Sequence, residues 1–285
     1  MGIAIPQRRD ELMTRRIPCW FLLCALAATG VSFADTVVPV FDAHIHYNAD
    51  ASDGTAPEAV LQIFDRAGVT RALVSSTPND GTRLLHEQYP DRIVPLLRPY
   101  RTDADRGGWF DDAAILAFVE QELRRGIYRG IGEFHLFSDQ ARTEVIRRIV
   151  DLAVQRNMML QAHSDEGAIR ELFAINPRSQ ILWAHAGMAS SPAQIADLLE
   201  RHATLWIELS GRNGDVAPGG RLDPAWRALF LQHPDRFLIG TDTWTPERWQ
   251  ELTTDMTAAR RWLAQLPREI AEKIATGNAE RVFPR

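Results

Sequence analysis

Asp42-Ala43-His44-Ile45-His46 sets two imidazoles two residues apart. Residues i and i+2 of a strand share a face, so on a strand both rings point the same way and can offer nitrogens to one divalent ion. Glu133, His163, His185 and Asp242 are residues of the same chemical kind, and each sits near the end of a short apolar run. Nitrogen and oxygen ligands without sulfur suit zinc, and they are compatible with manganese, iron or cobalt. A bound ion of this kind lowers the pKa of water from 15.7 toward about 7 and polarises a carbonyl, which is the chemistry of amide, lactone or ester hydrolysis. The remaining histidines are His86, His135, His202 and His233.

For these residues to meet, the elements carrying them must line up. Apolar runs rich in β-formers alternate with amphipathic stretches, the pattern of repeated βα units on a parallel sheet. The expected strands are Val37 to His46, Arg71 to Thr77, Ile93 to Pro99, Arg129 to Phe137, Met158 to His163, Gln180 to Ala186, Thr204 to Ser210 and Phe237 to Asp242. The expected helices cover 57–68, 81–90, 111–125, 140–156, 165–175, 191–202, 223–232 and a stretch from 246 onward. Three helix starts read as a cap before a first-turn proline: Ser191-Pro192, Asp223-Pro224 and Thr245-Pro246. Eight such units in about 250 residues predict one α/β domain, a closed (β/α)8 TIM barrel whose catalytic groups gather at the C-terminal ends of the strands. A doubly wound open sheet would carry a glycine-rich loop after strand one, where this chain has His-Ile-His. His44, His46, Glu133, His163, His185 and Asp242 all fall at the barrel-mouth level.

The segments FDAHIH (41–46), GIGEFH (130–135), QAHS (161–164), WAHAG (183–187), GTDT (240–243) and GNAERVF (277–283), in this order, resemble the amidohydrolase superfamily. The branch they match most also contains metal-dependent decarboxylases. The resemblance implies that His44, His46 and Asp242 hold one ion, while His163 and His185 either hold a second or serve the first. Many relatives bridge two ions with a carboxylated lysine on strand four. That is impossible here, because the only lysine is Lys273. Glu133 stands where a bridging carboxylate is needed, and its other reading is a carboxylate that steadies a ligand histidine. In a one-ion version His44, His46, His163 and Asp242 are the ligands and His185 orients the attacking water. In either version Asp242 takes the water's proton and passes it to the leaving group. The resulting reading is a metal-dependent hydrolase of a small organic molecule. A nonoxidative decarboxylase of an aromatic or unsaturated acid is the alternative, and a non-catalytic periplasmic metal-binding protein is a third reading.

Around this set, Asp42 either hydrogen-bonds a ligand imidazole or caps the strand end. Arg98 and Arg212 are placed to reach a carboxylated substrate or to make loop salt bridges. His135, two residues past Glu133, is placed to approach substrate. Trp109 and Trp244 lie on mouth loops and serve either as an apolar wall or as packing.

Arg15 and Arg16 precede an apolar run from Ile17 to Ala28, and Ser32-Phe33-Ala34 offers the small residues a signal peptidase reads. Residues 1–34 are therefore expected to be a cleaved signal peptide, and 35–285 the mature periplasmic or secreted domain. A twin-arginine reading of Arg15-Arg16 finds a poor match in the residues that follow, and Met13 is a second plausible start. Both cysteines, Cys19 and Cys24, fall in the removable segment, so the mature domain has neither disulfide nor thiolate ligand. The expected mature chain carries 28 basic and 35 acidic side chains with no basic cluster, which argues against nucleic acid as a partner. No membrane association is expected after cleavage, and a monomer and a homo-oligomer are equally compatible with the sequence. N-terminal sequencing of the exported protein is expected to start near Asp35; a start at Met1 or Met13 would overturn the signal-peptide reading.

Overall fold

The computed structural model describes residues 1–4 and 38–285. The expected signal segment from Arg15 to Ala34 lies outside the described residues. Eight strands, β1 (Val40–His46), β2 (Val69–Ser75), β3 (Ile93–Leu97), β4 (Gly130–Leu136), β5 (Met159–Ser164), β6 (Gln180–Trp183), β7 (Leu205–Glu208) and β8 (Phe237–Leu238), pair in sequential order, all parallel. The ring closes between β1 and the segment after β8: Ala43 N donates to Ile239 O at 2.7 Å and Asp242 N to His44 O at 2.8 Å. With helices following the strands around the outside, this is the expected single-domain (β/α)8 barrel. Among the described residues no helix is long and apolar enough to cross a membrane.

The outer helices form where the apolar periodicity placed them, since a stripe of large apolar side chains must be buried against the barrel. In Glu144–Gln155, for example, Val145, Ile146, Ile149, Val150 and Ala153 are buried, and Thr143 caps the start by accepting from Ile146 N. Ser191 and Asp223 make the expected cap bonds ahead of their prolines, and Ser191 with Gln194 completes a capping box. Thr245 makes no side-chain cap bond.

Inside the barrel, Phe41, Ala43, Leu73, Val94, Leu96, Met159, Leu182 and Leu238 form one buried cluster with Ala279 and Phe283 of the C-terminal segment. The closing motif GNAERVF is thus a floor. Asn278 Nδ2 donates to Pro234 O and Phe237 O, each at 2.9 Å, and Arg71 Nη1 donates to Phe283 O at 2.9 Å.

Counting upward from the inward residues in steps of two, the strand period, gives Ser75 on β2, Arg98 past β3, His163 on β5 and Asp242 past β8. His185, past β6, is out of phase with Leu182 below it and is brought in by its left-handed turn; His44, His46 and Glu133 are out of phase on their strands. Register irregularities fall at those places, between Asp42 and Ile45 on β1 and between Gly132 and Phe134 on β4. A bulge of this kind re-aims the side chains that follow it.

Several expected strands end a residue or two early, and β6 and β8 end three and four short. β6 stops at Trp183 and the chain turns through Ala184–Gly187, with His185 at φ 57° and Ala186 at φ 49°. β8 is two residues long, and Asp242 lies beyond it at φ 59°. Both expectations carried the apolar run straight on; after β6 the left-handed backbone at His185 and Ala186 turns the chain away, while after β8 the chain stays beside β1 only through the bonds at Ile239 and Asp242.

Gly240 is fixed by the packing above the floor. A Cβ there would lie 2.1 Å from Glu208 Oε1 and 2.8 Å from His44 Cβ, both on buried side chains. Gly240→Ala is expected to destabilise the fold by about 2 kcal/mol or more, through overpacking and a displaced buried carboxylate. Gly214→Ala, where nothing lies within 4 Å of the new Cβ, should stay within about 0.5 kcal/mol. Urea unfolding of the two variants checks the difference.

Candidate metal centre

At the mouth of the barrel, four imidazoles and two carboxylates converge. His44 Nε2 and His46 Nε2 are 3.2 Å apart. Asp242 Oδ1 lies 3.6 Å from the first and 3.3 Å from the second. Glu133 faces the group from below: Oε2 is 3.1 Å from His46 Nε2, while Oε1 is 3.1 Å from His163 Nδ1, 3.3 Å from His185 Nε2 and 3.5 Å from His44 Nε2. Three overlapping triads have their donor atoms within 4.8 Å of one another: His44, His46 and Asp242; His44, Glu133 and His185; Glu133, His135 and His163.

The outer nitrogen of each ring decides what the inner one can do. His44 Nδ1 is 2.8 Å from Glu208 Oε2, His46 Nδ1 is 3.1 Å from Ser75 O, and His185 Nδ1 is 3.2 Å from Ser210 O. An acceptor at Nδ1 puts the ring proton there and leaves the Nε2 lone pair free, which is how ligand histidines are oriented. Two such nitrogens at 3.2 Å need a proton or a metal ion between them. Nitrogens bound to one ion at about 2.0–2.1 Å in tetrahedral geometry stand about 3.3 Å apart. Asp242 Oδ1, buried and without a hydrogen-bond partner, completes the set. These residues fit a divalent ion.

Electrostatics agree with the geometry. Burial works against a charged His44, but the carboxylates of Glu133, Asp242 and Glu208 outweigh it and hold its pKa well above 6.5. Burial would likewise raise Glu133, but His44 and the hydrogen bonds from His163, His185 and His44 hold it well below 4.5. His46 is pushed down by burial and by the Arg98 guanidinium, and burial pushes His135 down to about 3.

The other expected residues divide. Arg98, 1% exposed, donates from Nε to Glu133 O at 3.1 Å and from Nη2 to Glu133 Oε2 at 3.3 Å, while its buried Nη1 has no partner. His135 lines the same cavity as Arg98, and its ring stacks on His163 with centroids 4.4 Å apart. Arg212 is not free for substrate. It donates to the carbonyls of His185, Ala186 and Ser190 at 3.0 to 3.1 Å and pairs with Asp215 at 2.7 Å, because the left-handed turn at His185 leaves those carbonyls without strand partners. Asp42 touches no imidazole. Its carboxylate accepts from His44 N and Thr241 N at 3.1 Å and from Thr241 Oγ1 at 2.7 Å, bolting β1 to the segment after β8, and burial raises its pKa to about 7. Trp109 is wholly buried and packs on Phe134, whereas Trp244 is 52% exposed at the mouth.

Of the two readings of Asp42 its bonds match the strand-end one, and the carboxylate on a ligand imidazole is Glu208, which sequence reasoning passed over. Fully buried, it accepts from His44 Nδ1 and, at 3.2 Å, from His185 N, and Ser210 Oγ donates to it at 2.8 Å. An acid at the end of the apolar run Leu205-Trp206-Ile207 was the available signal. Burial opposes its charge, but His44 holds its pKa below 4.5.

Two outcomes follow. Glu208→Gln, which keeps the volume and loses the charge, should weaken zinc binding by about 10–100-fold, read by competition with a chelator. His44 keeps its proton from 6.5 up to its raised pKa, and a divalent ion needs the same lone pair. Uptake near pH 7 should therefore release protons, and apparent affinity should climb with pH until His44's raised pKa is passed. Calorimetry in two buffers of different ionisation enthalpy measures the protons released.

Comparison with known proteins adds the lineage. No curated protein matches the chain. Among solved structures, a probable 2-pyrone-4,6-dicarboxylic acid hydrolase from Acinetobacter baumannii with citric acid bound is 14% identical, at a TM-score of 0.55 over 86% of this chain and 99% of that one. A 2,6-dihydroxybenzoate decarboxylase complexed with 2,6-dihydroxybenzoate is also 14% identical, at a TM-score of 0.58 over 87% of this chain and 99% of that one. An amidohydrolase from Burkholderia multivorans with bound zinc is 16% identical, at 0.54 over 86% and 99%. At these identities the likeness is one of fold. A family model described as amidohydrolase matches residues 106–285, well over half of the sequence and including Glu133, His163, His185 and Asp242. The chain belongs to the amidohydrolase family.

Proposed function

We propose that the chain is a divalent-metal-dependent hydrolase that cleaves an amide, lactone or ester bond of a small organic molecule at a two-ion centre, and that it acts outside the cytoplasm. The observation that carries the reading is the placement of Glu133. One of its oxygens faces His46 and the other faces His163 and His185, each within 3.1 to 3.3 Å. In this reading His44, His46 and Asp242 hold one ion, His163 and His185 the other, and Glu133 lies between them. Zinc suits the donor set, and a zinc-bound amidohydrolase is among the structures of the same fold. The export part of the proposal rests on the signal-like N-terminus alone.

Bound divalent ions would polarise the substrate carbonyl and lower the pKa of water toward about 7. The chain's own groups do the rest. Asp242, whose side chain keeps 19% of its surface open to the cavity, accepts the attacking water's proton and returns it to the leaving group. The Nδ1 partners Glu208, Ser75 and Ser210 keep His44, His46 and His185 in the tautomer that directs Nε2 inward. Arg98 holds Glu133 by both its backbone and its carboxylate.

Nonoxidative decarboxylation on a single ion is the competing chemistry, and metal count separates the two. Purified protein is expected to hold two equivalents of divalent metal by elemental analysis, and Glu133→Gln one or fewer. Asp242→Asn should lose at least about 100-fold in kcat, the scale of a lost general base. One equivalent in the wild type, with carbon dioxide released from an aromatic acid, would replace the hydrolase by a decarboxylase. Full turnover by Asp242→Asn would remove Asp242 from the chemistry.

A further inference from the structure

The mouth of the barrel is two unlike cavities that share His163, Asp242 and Trp244. The smaller, about 170 Å³, is lined by Arg98, Arg106 and His135 besides the metal-centre residues. The larger, about 510 Å³, has Met188 and Trp244, each 52% exposed, on its walls, with Arg212 paired to Asp215 and Arg248 held by Thr241 O and Asp255 beside them.

In the smaller cavity the hydrogen bonds dictate which way His135 offers its proton. Tyr100, wholly buried, accepts the His135 backbone N–H at its hydroxyl oxygen at 2.7 Å. Its own hydroxyl proton is then left to give, and the acceptor it meets is His135 Nδ1 at 3.1 Å. A ring that accepts at Nδ1 carries its proton on Nε2. Trp109 Nε1 donates to His135 O at 2.8 Å, so the backbone of this residue is held from both sides. Among the described residues His135 Nε2 makes no hydrogen bond, and the buried Arg98 Nη1 makes none either. One small cavity thus collects an imidazole donor, an unfilled guanidinium donor and, at its rim, Arg106, whose nearest acid is Asp103 at 3.8 Å. Glu133 and Asp242 line the same cavity, but Glu133 is already engaged by Arg98 Nη2 and the imidazoles and Asp242 Oδ1 faces His44 and His46; a ligand carboxylate supplies two further oxygens of the right charge for the open donors.

We propose that the smaller cavity is an anion subsite. It seats a carboxylate of the substrate on His135 Nε2–H and Arg98, with Tyr100 fixing the tautomer, while the uncharged remainder lies in the larger cavity against Met188 and Trp244. The substrate class is then a lactone, amide or ester that also bears a carboxylate, with the bond to be cleaved over His163 and Asp242, where the cavities meet. This rests on the hydrolytic reading for the reaction, but the subsite itself is tested by binding.

The probes are benzoate and its uncharged isostere benzamide, titrated calorimetrically into zinc-loaded protein. Benzoate should bind at least tenfold more tightly. His135→Phe and Tyr100→Phe should each weaken benzoate at least fivefold with zinc content unchanged, and Arg106→Gln, on the exposed rim where folding is not at stake, several-fold. Long-range 15N–1H NMR of the zinc-loaded protein should place the His135 proton on Nε2 and show that preference lost in Tyr100→Phe. Equal binding of benzoate and benzamide would overturn the proposal. So would a benzoate preference that survives all three variants, since the zinc ions alone would then explain it. An unprotonated Nε2 would overturn it as well, because His135 would then be a metal ligand beside Glu133 and His163. Zinc-loaded protein that prefers benzoate through these residues yet hydrolyses nothing would refute the hydrolytic reading and leave the subsite standing.

Discussion

The carboxylate of Glu133 is the constraint on which the rest of the mouth depends. It is 2% exposed, and removing an ionised carboxylate from water costs several kcal/mol unless positive charge and donors replace the lost hydration. His44, His46, His163, His185 and Arg98 surround it at 3.1 to 3.5 Å. An imidazole next to it gains a reason to be charged, which is why His44 holds its proton so firmly. A divalent ion offers the same compensation with more charge in less space. A buried carboxylate with imidazoles on both oxygens is thus costly without compensating positive charge and is for the same reason the natural centre of a metal site.

Holding that arrangement requires backbone that ordinary strands do not provide. His185 and Asp242 sit in left-handed conformations, and their turns expose carbonyls that no neighbouring strand takes up. Arginine answers this repeatedly. Arg212 takes the carbonyls of His185, Ala186 and Ser190, Arg248 those of Thr241 and Asp242, and Arg98 that of Glu133. A planar guanidinium with five donors can hold several carbonyls at once, where an ammonium acts as a point charge. A chain with one lysine and many arginines has basic residues suited to this work. The same geometry explains why Arg212, though beside the cavity, is committed to the scaffold.

Packing below the centre is equally exacting. The inward layer of Phe41, Ala43, Leu73, Val94, Leu96, Met159, Leu182 and Leu238 is closed from beneath by Ala279 and Phe283, so the barrel is a solid pedestal. Gly240 lets Glu208 come against His44, and Gly132, at φ 143°, lets β4 pass a Gln161 carbonyl that a Cβ would meet at 2.4 Å. Two motif glycines thus act on the site through the space they leave.

Sequence alone determined the barrel and the list of six ligand-type residues. Both follow from local, periodic information: alternating apolar runs mark the strands, and ligand chemistry at their ends marks the mouth. The helix caps at Ser191 and Asp223 were legible for the same reason, since a cap is a contact three residues long. What only the tertiary structure decided are relations between distant segments. Period-two counting puts His44, His46 and Glu133 out of phase with the interior layer, and the irregularities in β1 and β4 that turn them inward leave no mark in composition. Asp42, adjacent to the histidines in sequence, bonds Thr241 across the barrel seam, while Glu208, 164 residues from His44, takes the imidazole. Tyr100 reaches His135 across 35 residues. Hydrogen-bond partners are chosen by the few ångströms that separate side chains once the ring has closed, and sequence distance carries almost none of that information.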